Sequence, residues 1–396
     1  MKSAITTARI IVGLLFIFSG LVKANYPHGL SYKMQEFFEV WTDDLSKGSF
    51  FMNHILTSIF HFLHNHSLAL AVLMIAFEII AGSALLFGWR IKLFSWFLLL
   101  LILFFTFLTG YTYITGKPTN CGCFGDCLPI TSKISFLKDA ALTVLIVFLF
   151  WNRNWIKPLF SGNVTTLSMF AVILLSLGFQ WYTLNYLPIM DCLPFKKGNN
   201  ISEKMKIPAN AIPDSFAIRF VYEKGGKQFE FTPSELPNDL ATYKFVSRAD
   251  KLIRKGNAEP AIKGFALSGI TDEDSTQIVL SQPYAILLFC ENFSVLVSNW
   301  ERSFSKLYAS AMAKNIPAYI VTTQPGEAST ALSKTSFAGI QIFKCDNTAV
   351  RTAARTNPCL YLLKQGTIVN KWSYKKMDAA DKLLNNISVQ PATNNQ

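Results

Sequence analysis

A single short loop decides how this chain is organised: Thr119-Asn120-Cys121-Gly122-Cys123-Phe124-Gly125-Asp126-Cys127-Leu128-Pro129. The loop joins two strongly apolar segments and contains three of the seven cysteines in the chain. Thiols at the rim of a membrane bundle are suited to disulfide exchange or to metal binding. Which chemistry applies depends mostly on the side of the membrane that the loop faces.

The composition of the 396-residue chain indicates a membrane protein, because 51% of its residues are hydrophobic and only 16% are charged. Several apolar runs of roughly 18–23 residues match the thickness of a bilayer. The net charge of +12 comes from dispersed Lys and Arg without any DNA- or RNA-binding motif, so no nucleic-acid partner is expected. Five spanning helices are predicted, at approximately Ile5–Val22, Leu68–Phe87, Leu93–Ile114, Ile134–Trp151 and Val164–Leu184.

Basic residues at alternate helix junctions predict the orientation of these spans. Short loops that carry Lys and Arg face the cytoplasm, and such residues occur at Lys2, Arg9, Arg90, Lys92, Arg153 and Lys157. The loop Asn25–Ser67, the cysteine loop and everything after Leu187 are therefore expected outside. In a bacterium this means a multi-pass inner-membrane protein with a periplasmic C-terminal domain. That compartment permits disulfides. The alternative, a cleaved signal peptide in place of the first span, leaves the cysteines on the same side.

Glu78 lies in the middle of the second span. An ionised carboxylate at that depth costs at least about 2.5–3.5 kcal/mol, so it should face the bundle interior and have a partner. Lys23 and Ser19, near the outer end of the first span, are the candidate partners. Glu78 has either a function in the bundle or a packing role as a protonated or hydrogen-bonded group, and both interpretations stay open.

Three motifs in the first half resemble one family of membrane proteins. Phe18-Ser19-Gly20-Leu21-Val22-Lys23 is similar to the first-helix signature of DoxX-like proteins, and Glu78 followed by Gly82 and Leu85-Leu86-Phe87-Gly88 is similar to their second-helix pattern. Cys121-Gly122-Cys123-Phe124-Gly125 resembles the motif of the MauE (methylamine-utilisation) branch. The resemblance covers about residues 1–155 and implies a four-helix core. The longer chain looks like Bacteroidetes proteins that fuse this bundle to an extracytoplasmic domain.

This resemblance implies a membrane factor linked to disulfide formation or redox maturation of exported proteins. It makes quinone the candidate cofactor, with an exported or membrane protein as client and a thiol-disulfide protein as a further candidate partner. A thiol-disulfide oxidoreductase activity is one interpretation of the chain; whether it catalyses a reaction at all stays open at this point.

The loop cysteines Cys121, Cys123 and Cys127 are, with Glu78, the candidate catalytic residues. Three thiols allow one disulfide plus one attacking or resolving thiol, which disulfide exchange requires. A fixed disulfide that only staples the loop is the alternative. Cys192, just after the fifth span, is predicted on the same side, either as a fourth thiol of the relay or as a lone small residue in a proline-bounded linker.

Metal binding is a further alternative, because all five histidines lie between the first and second spans. On a helix, His54, His61 and His64 would share one face, and imidazoles with thiolates suit zinc or copper. Their spacing matches no standard metal motif, so no metal ligand is assigned.

From about Lys196 the composition becomes that of a soluble α/β domain. The predicted division is a bundle at residues 1–155, a fifth span and linker at 156–195, a β-rich extracytoplasmic segment at 196–281 and an α/β domain at 282–396. In the β-rich segment, strands are expected at Phe216–Tyr222 and Gln228–Phe231, joined by a turn at Gly225-Gly226.

The last domain resembles the thioredoxin-like fold over roughly Gln282–Asn386. Its expected elements are strands at Ala285–Phe289, Ala318–Thr323, Gly339–Phe343, Leu360–Leu363 and Ile368–Trp372, with helices at Val297–Lys314 and Asp378–Ile387. The resemblance makes Pro358 the cis-proline of the fold. Where the family has Cys-x-x-Cys, this chain has Cys290-Glu291-Asn292-Phe293, so an ordinary thioredoxin mechanism is not expected.

Cys290, Cys345 and Cys359 are therefore expected to be inert core thiols, with one buried pair as the alternative. The domain is interpreted as a degenerate thioredoxin-like module that binds or positions a client. Two functions follow: a membrane redox factor that exchanges disulfides through its CxCxxxC loop, or a non-catalytic assembly or scaffold subunit whose outer domain docks a partner.

Overall fold

The computed structural model describes residues 2–47, 53–118, 125, 127, 130–254, 256–269 and 272–387. Cys121 and Cys123 lie outside these residues. The first half contains seven described helices: α1 (Lys2–Ala24), α2 (Pro27–Ser46), α3 (Asn53–Asn65), α4 (Ser67–Phe87), α5 (Ile91–Thr115), α6 (Ser132–Trp151) and α7 (Gly162–Asn185). Among them, α1 and α4 to α7 are long and apolar enough to cross a membrane, as predicted. The segment between the first two spans, expected only as a loop, contains α2 and α3.

Helices α1 and α4 pack closely because each presents glycine at the contact. A Cβ atom on Gly82 would lie 2.9 Å from the carbonyl oxygen of Gly13 and 2.9 Å from Cβ of Phe16. A Cβ atom on Gly20 would meet Ile79 of α4 at 2.5 Å. Small residues of this kind let membrane helices approach to backbone distance. Around this contact, α5 packs on α6, and α7 packs on α4.

Arg9 fixes one end of the bundle by binding backbone carbonyls. Its Nε donates to Leu85 O at 2.8 Å and its guanidinium donates to Leu86 O at 2.6 Å and to Lys157 O at 2.9 Å. The last carbonyls of a helix have no partner within the helix, and α4 ends at Gly88 in the left-handed conformation with φ of 70°. The predicted basic end of the bundle is therefore also where α4 and the segment before α7 are tied together.

The C-terminal half begins with a short helix and a three-stranded antiparallel sheet. Their bounds are α8 (Ile201–Lys204), β1 (Ser215–Lys224), β2 (Lys227–Phe231) and β3 (Lys244–Arg254), in the order β2-β1-β3. The predicted hairpin is confirmed, with both Gly225 and Gly226 at positive φ in the turn. Strand β3 was not predicted from the sequence.

The last domain has a thioredoxin-like fold. Its elements are α9 (Thr276–Leu280), β4 (Ala285–Cys290), α10 (Glu301–Ala313), β5 (Ala318–Thr322), α11 (Pro325–Leu332), β6 (Gln341–Lys344), α12 (Asn347–Ala353), β7 (Cys359–Lys364), β8 (Thr367–Ser373) and α13 (Met377–Asn385). The sheet order is β6-β5-β4-β7-β8, with β4, β5 and β6 parallel and β7 and β8 antiparallel. Every residue of the central strand β4 is buried. The Asn357-Pro358 bond is cis, so the expectation for Pro358 is confirmed.

Apolar clusters lie on both faces of this sheet, because alternate residues of a strand point to opposite sides. One cluster contains Leu287 and Phe289 and also includes Phe195 and Ile201 from the start of the C-terminal half. The other contains Ile286, Leu288 and helices α10 and α13. The linker after α7 therefore ends inside the core of the thioredoxin-like domain.

Candidate functional site

The cysteine loop is joined to the linker after α7 by a disulfide between Cys127 and Cys192, which are 65 residues apart. Their Cα atoms are 5.1 Å apart. The interpretation of Cys192 as a lone small residue is therefore wrong, because the linker bends back to the loop. Gly125, two residues before Cys127, lies against Val22 near the end of α1, with 3.6 Å between its ideal Cβ position and a methyl carbon of Val22.

The linker that carries Cys192 is held at both of its ends. Asn25 Nδ2 donates to Met190 O at 2.8 Å, and Met190 N donates to Asn25 Oδ1 at 3.0 Å. On the other side, Lys371 Nζ lies 2.5 Å from a carboxylate oxygen of Asp191 and donates to Phe195 O at 3.2 Å. Cys192 thus stands between a contact to the end of α1 and a contact to strand β8.

Glu78 forms an ion pair inside the bundle. Lys23 Nζ lies 2.7 Å from Glu78 Oε2, and the side chains are 4% and 3% exposed. The predicted partnership with Lys23 is confirmed. The same ammonium group lies 4.6 Å from the centroid of the Phe105 ring, where the electron-rich ring face also attracts a cation.

A second ion pair enters the bundle from α6. Lys138 Nζ lies 2.7 Å from Asp139 Oδ1, and Asp139 is only 1% exposed. Thr109 of α5 donates a hydrogen bond to Asp139 Oδ2 at 3.1 Å. Sequence reasoning assigned Asp139 no role. An acidic residue within an apolar helix is the signal that could have found it, since such residues rarely occur unpaired in a membrane.

The two ion pairs line one cavity of about 310 Å³ between helices α1 to α6. Its remaining wall is mostly apolar and includes Phe16, Phe37, Met74, Phe105 and Leu142. Concave sites of about 300–1,000 Å³ with apolar walls and a few polar groups are typical of small-molecule binding. An apolar molecule with one polar end therefore matches this cavity.

An open groove of about 550 Å³ adjoins the cavity, because Trp41 and Phe60 line both. Phe107 and Tyr111 of α5 form its other side, and Phe107 is 57% exposed. The groove lies between the α2 and α3 helices and the exposed face of α5.

The expected position of a thioredoxin Cys-x-x-Cys motif is occupied by polar residues that bind each other. Glu291 follows β4, and its backbone N–H donates to Asn357 Oδ1 at 3.0 Å. Asn357 Nδ2 in turn donates to Asn292 O at 2.9 Å. Arg351 Nε lies 3.0 Å from Glu291 Oε1. This edge carries no thiol that could attack a client.

The three cysteines of the thioredoxin-like domain are free and buried. Burial raises the pKa of the Cys290 and Cys359 thiols and raises the pKa of Cys345 to about 11. Neutral, enclosed thiols are poor nucleophiles because the thiolate is the reactive form. This agrees with the expectation of three inert core thiols, and the alternative of one buried disulfide among them is wrong.

The histidines predicted to share a helix face lie on or beside α3. His64 Nε2 lies 3.1 Å from Glu39 Oε1, and the ring of His66 bonds the carbonyl of Phe62 at 2.8 Å. Across the described residues, no three His, Cys, Asp or Glu side chains form a group that could hold a metal ion. His54, His61 and His64 therefore do not form a metal site with one another.

Comparison with known proteins finds similarities in both halves of the chain. The family described as Methylamine utilisation protein MauE matches residues 1–152, and a Domain of unknown function (DUF8463) matches residues 216–255, which hold the three-stranded sheet. Yeast Sco1 with copper bound is 16% identical, with a TM-score of 0.26, and the match covers 33% of this chain and 94% of that one. A second crystal structure of yeast Sco1 is 17% identical to this chain, with a TM-score of 0.26. The match covers 32% of this chain and 95% of that one. No curated protein matches the chain.

Proposed function

Since residues 1–152 form a MauE-type membrane domain that is fused here to a thioredoxin-like domain, we propose that this protein is a membrane redox factor that exchanges disulfides with exported proteins. The Cys127–Cys192 bridge carries the proposal. One of its two cysteines, Cys127, lies in the same loop as Cys121 and Cys123, so two further cysteines are close in sequence to one half of the disulfide. That combination supplies what thiol-disulfide exchange needs.

In the proposed reaction, a client thiolate attacks the sulfur of Cys127 or Cys192 and forms a mixed disulfide, while the other cysteine leaves as a thiolate. A second client thiolate then attacks the client sulfur of that mixed disulfide. The client leaves with a new disulfide, having lost two electrons and two protons, and Cys127 and Cys192 are both reduced. Cys121 and Cys123 are proposed to take part in the return of the pair to the oxidised form.

We propose that the cysteine loop and the outer domain face the periplasm of a bacterium. Arg9, Arg90 and Arg153 lie at the end of the bundle opposite to the cysteine loop, and basic residues favour the cytoplasmic side. A disulfide is also expected to persist only where the compartment is oxidising. Both considerations support an inner-membrane protein with its exchange site outside.

Reoxidation of the two thiols needs an acceptor of two electrons, and we propose a quinone in the cavity between the ion pairs. Lys23 and Lys138 offer N–H donors to carbonyl oxygens, while Glu78 and Asp139 balance their charges. A neutral ring with an apolar tail therefore fits better than an anionic lipid. The dithiol would become a disulfide as the quinone becomes a quinol, with Glu78 as a carrier of one of the protons. Gly125 lies beside Val22, the neighbour of Lys23, so the loop and the cavity are close.

Trapping of mixed disulfides tests the exchange role. In Cys192→Ser, the remaining Cys127 thiolate attacks the disulfide of an oxidised client, and the client's other cysteine leaves as a thiolate. Cys192 is then missing, so the mixed disulfide cannot be resolved by re-forming the bridge. Mixed disulfides should accumulate on non-reducing gels, and exported proteins should show more free thiols. Cys290→Ser is the matched control, because Cys290 is buried and unbridged. The exchange role is wrong if neither Cys127→Ser nor Cys192→Ser changes the thiol state of any exported protein.

Quinone content tests the cavity separately. Met74 lines the cavity, so Met74→Trp should fill it and reduce the quinone that copurifies with the protein from native membranes. Leu73, its neighbour on α4, is 64% exposed, and Leu73→Trp should leave the quinone content unchanged. Equal amounts of quinone in both variants, or none in the unaltered protein, contradict the cavity assignment.

A scaffold role is the second candidate, and one observation favours it: the outer domain has no exposed thiol among its described residues. In that case the bridge only staples the linker to the loop. This hypothesis predicts that a variant with Ser at Cys121, Cys123 and Cys127 keeps full function, whereas deletion of residues 202–396 abolishes it.

A further inference from the structure

The edge of the thioredoxin-like domain that carries Glu291 and the cis-proline lies against the start of α2. Tyr32 donates its hydroxyl hydrogen to Glu291 Oε2 at 2.5 Å, and Glu291 Oε1 pairs with Arg351 at 3.0 Å. The guanidinium of Arg351 lies 4.3 Å from the centroid of the Tyr32 ring, and that of Arg355 lies 3.3 Å from the centroid of the Tyr26 ring. Tyr26 also donates to the carbonyl of Arg351 at 3.2 Å.

Glu291 is the centre of this contact because it binds both partners at once. One carboxylate oxygen accepts from the membrane domain and the other pairs with the outer domain, and its side chain is only 12% exposed. Charge-assisted hydrogen bonds of this kind are stronger than neutral ones. Loss of the charge leaves both Tyr32 and Arg351 with a weaker partner in a largely enclosed contact.

The contact bears directly on the position of Cys192. The linker of Cys192 enters the outer domain at Phe195, which is buried in the domain core, and Asp191 pairs with Lys371 of β8. Movement of the outer domain relative to α2 therefore moves Cys192. The effective concentration of one thiol at another depends on how tightly the chain between them is held.

We infer that Glu291 is a positioning residue for the Cys127–Cys192 bridge: by docking the outer domain on α2, it holds Cys192 within bonding distance of Cys127. Only the role of this positioning in disulfide exchange rests on the proposed function. The docking itself is inferred from the contacts described above. An acidic residue within the stretch where the Cys-x-x-Cys motif of the fold is expected thus serves here to place a disulfide elsewhere in the chain.

The test is the thiol–disulfide equilibrium of the purified full-length protein in mixtures of reduced and oxidised dithiothreitol. When the bridge is reduced, it gains two electrons and two protons, and dithiothreitol loses them as it forms its cyclic disulfide. Alkylation followed by mass spectrometry of the Cys127 and Cys192 peptides gives the bridged fraction. We expect Glu291→Gln to lower the equilibrium constant for bridge formation about fivefold or more, as is typical of coupled sites, and Glu291→Asp to restore part of it.

Glu230→Gln is the matched control, because Glu230 forms an exposed ion pair with Arg219 on the three-stranded sheet. It should leave the equilibrium unchanged. Tyr32→Phe removes the hydrogen bond from the membrane side and leaves the outer domain intact, so it decides the matter if Glu291→Gln impairs folding. Unchanged equilibria in both Tyr32→Phe and a folded Glu291→Gln overturn the inference. If the thiol–disulfide equilibrium of the bridge shifts in these variants but the thiol state of exported proteins does not change, the inference is upheld and the proposed exchange function is contradicted instead.

Discussion

The ammonium of Lys23 lies 2.7 Å from the carboxylate of Glu78, with both side chains enclosed between α1, α4 and the cavity. The two residues are 55 positions apart in the chain. Each charge makes the other tolerable inside the bundle, because a lone ion in a low-dielectric interior loses its hydration without compensation. The pair therefore joins α1 and α4 as well as lining the cavity.

Lys23→Met should destabilise the membrane domain strongly, since it leaves Glu78 buried without its cation. The expected loss is about 3–5 kcal/mol, as is typical when one partner of a buried ion pair is removed. The double variant Lys23→Met with Glu78→Leu should lose less than Lys23→Met alone. Thermal unfolding in detergent measures this. Glu259→Gln, in the exposed pair with Lys263, should change stability by at most about 0.5 kcal/mol, and an equal loss in all three variants would contradict the expectation.

Gly82→Ala should weaken the packing of α1 on α4. The added methyl would lie 2.9 Å from Gly13 O, a backbone atom that cannot move without shifting the helix. Gly178→Ala in α7 is the control, because its methyl would meet no other atom within 4 Å, and alanine favours helix by about 1 kcal/mol over glycine. The midpoint of thermal unfolding should fall for the first variant and stay equal or rise for the second. A fall of the same size in both would show that packing is not the cause.

Docking of the outer domain should weaken as the pH falls below about 6.5, the ordinary pKa of histidine. Burial lowers the pKa of His28; Glu291 raises it, and Arg355 and Arg351 lower it further. The rings of Tyr26 and Tyr32 also lie against the His28 ring. The docked state therefore holds His28 neutral, whereas His28 takes up a proton when the domain is released. Docking is complete above the pKa that His28 has in the released state, and it is lost as the pH falls through the pKa that His28 has in the docked state.

Limited proteolysis of the linker at residues 186–195 between pH 7.5 and 5 measures this pH dependence. The unaltered protein should be cut faster at the lower pH, and His28→Phe, which keeps the ring but cannot take up a proton, should flatten the dependence. A cleavage rate that rises equally in both proteins would assign the effect to another group.

Native alkylation should leave Cys290, Cys345 and Cys359 unmodified at pH 8. Burial raises the pKa of all three thiols, for Cys345 to about 11, so few thiolates form and the reagent does not reach them. Mass spectrometry after treatment with iodoacetamide should find these cysteines labelled only once the protein is unfolded. Rapid labelling of Cys359 in the native protein would contradict the enclosed arrangement.

The parts of the structure that follow from local rules could be predicted from the sequence. Span length predicts α1 and α4 to α7, and the cost of a charge in lipid predicts that Glu78 pairs with a residue such as Lys23. Pro358 could be identified because it lies directly before a predicted strand, and the order of the predicted strands and helices resembles that of the thioredoxin-like fold. Helices α2 and α3 were missed because apolar and polar residues mix there without the continuous pattern of a span.

Relationships between distant residues could not be predicted in the same way. Cys192 has three candidate partners in the cysteine loop, and nothing in the spacing favours Cys127 over the others. Glu291 has no sequence signal as a docking residue, because one acidic side chain after a strand is common on soluble surfaces. The contact with Tyr32 depends on how two separately folded units meet.

The Cys127–Cys192 bond closes a ring of main chain that contains α6 and α7, including the turn around residues 152–161. A protease that cuts this turn once opens the ring without releasing either piece. The nicked protein should migrate as a single chain until a reductant is added, after which an N-terminal fragment and a C-terminal fragment separate. The bond thus keeps the two fragments joined after any single cut between Cys127 and Cys192, and its own reduction becomes visible on a gel.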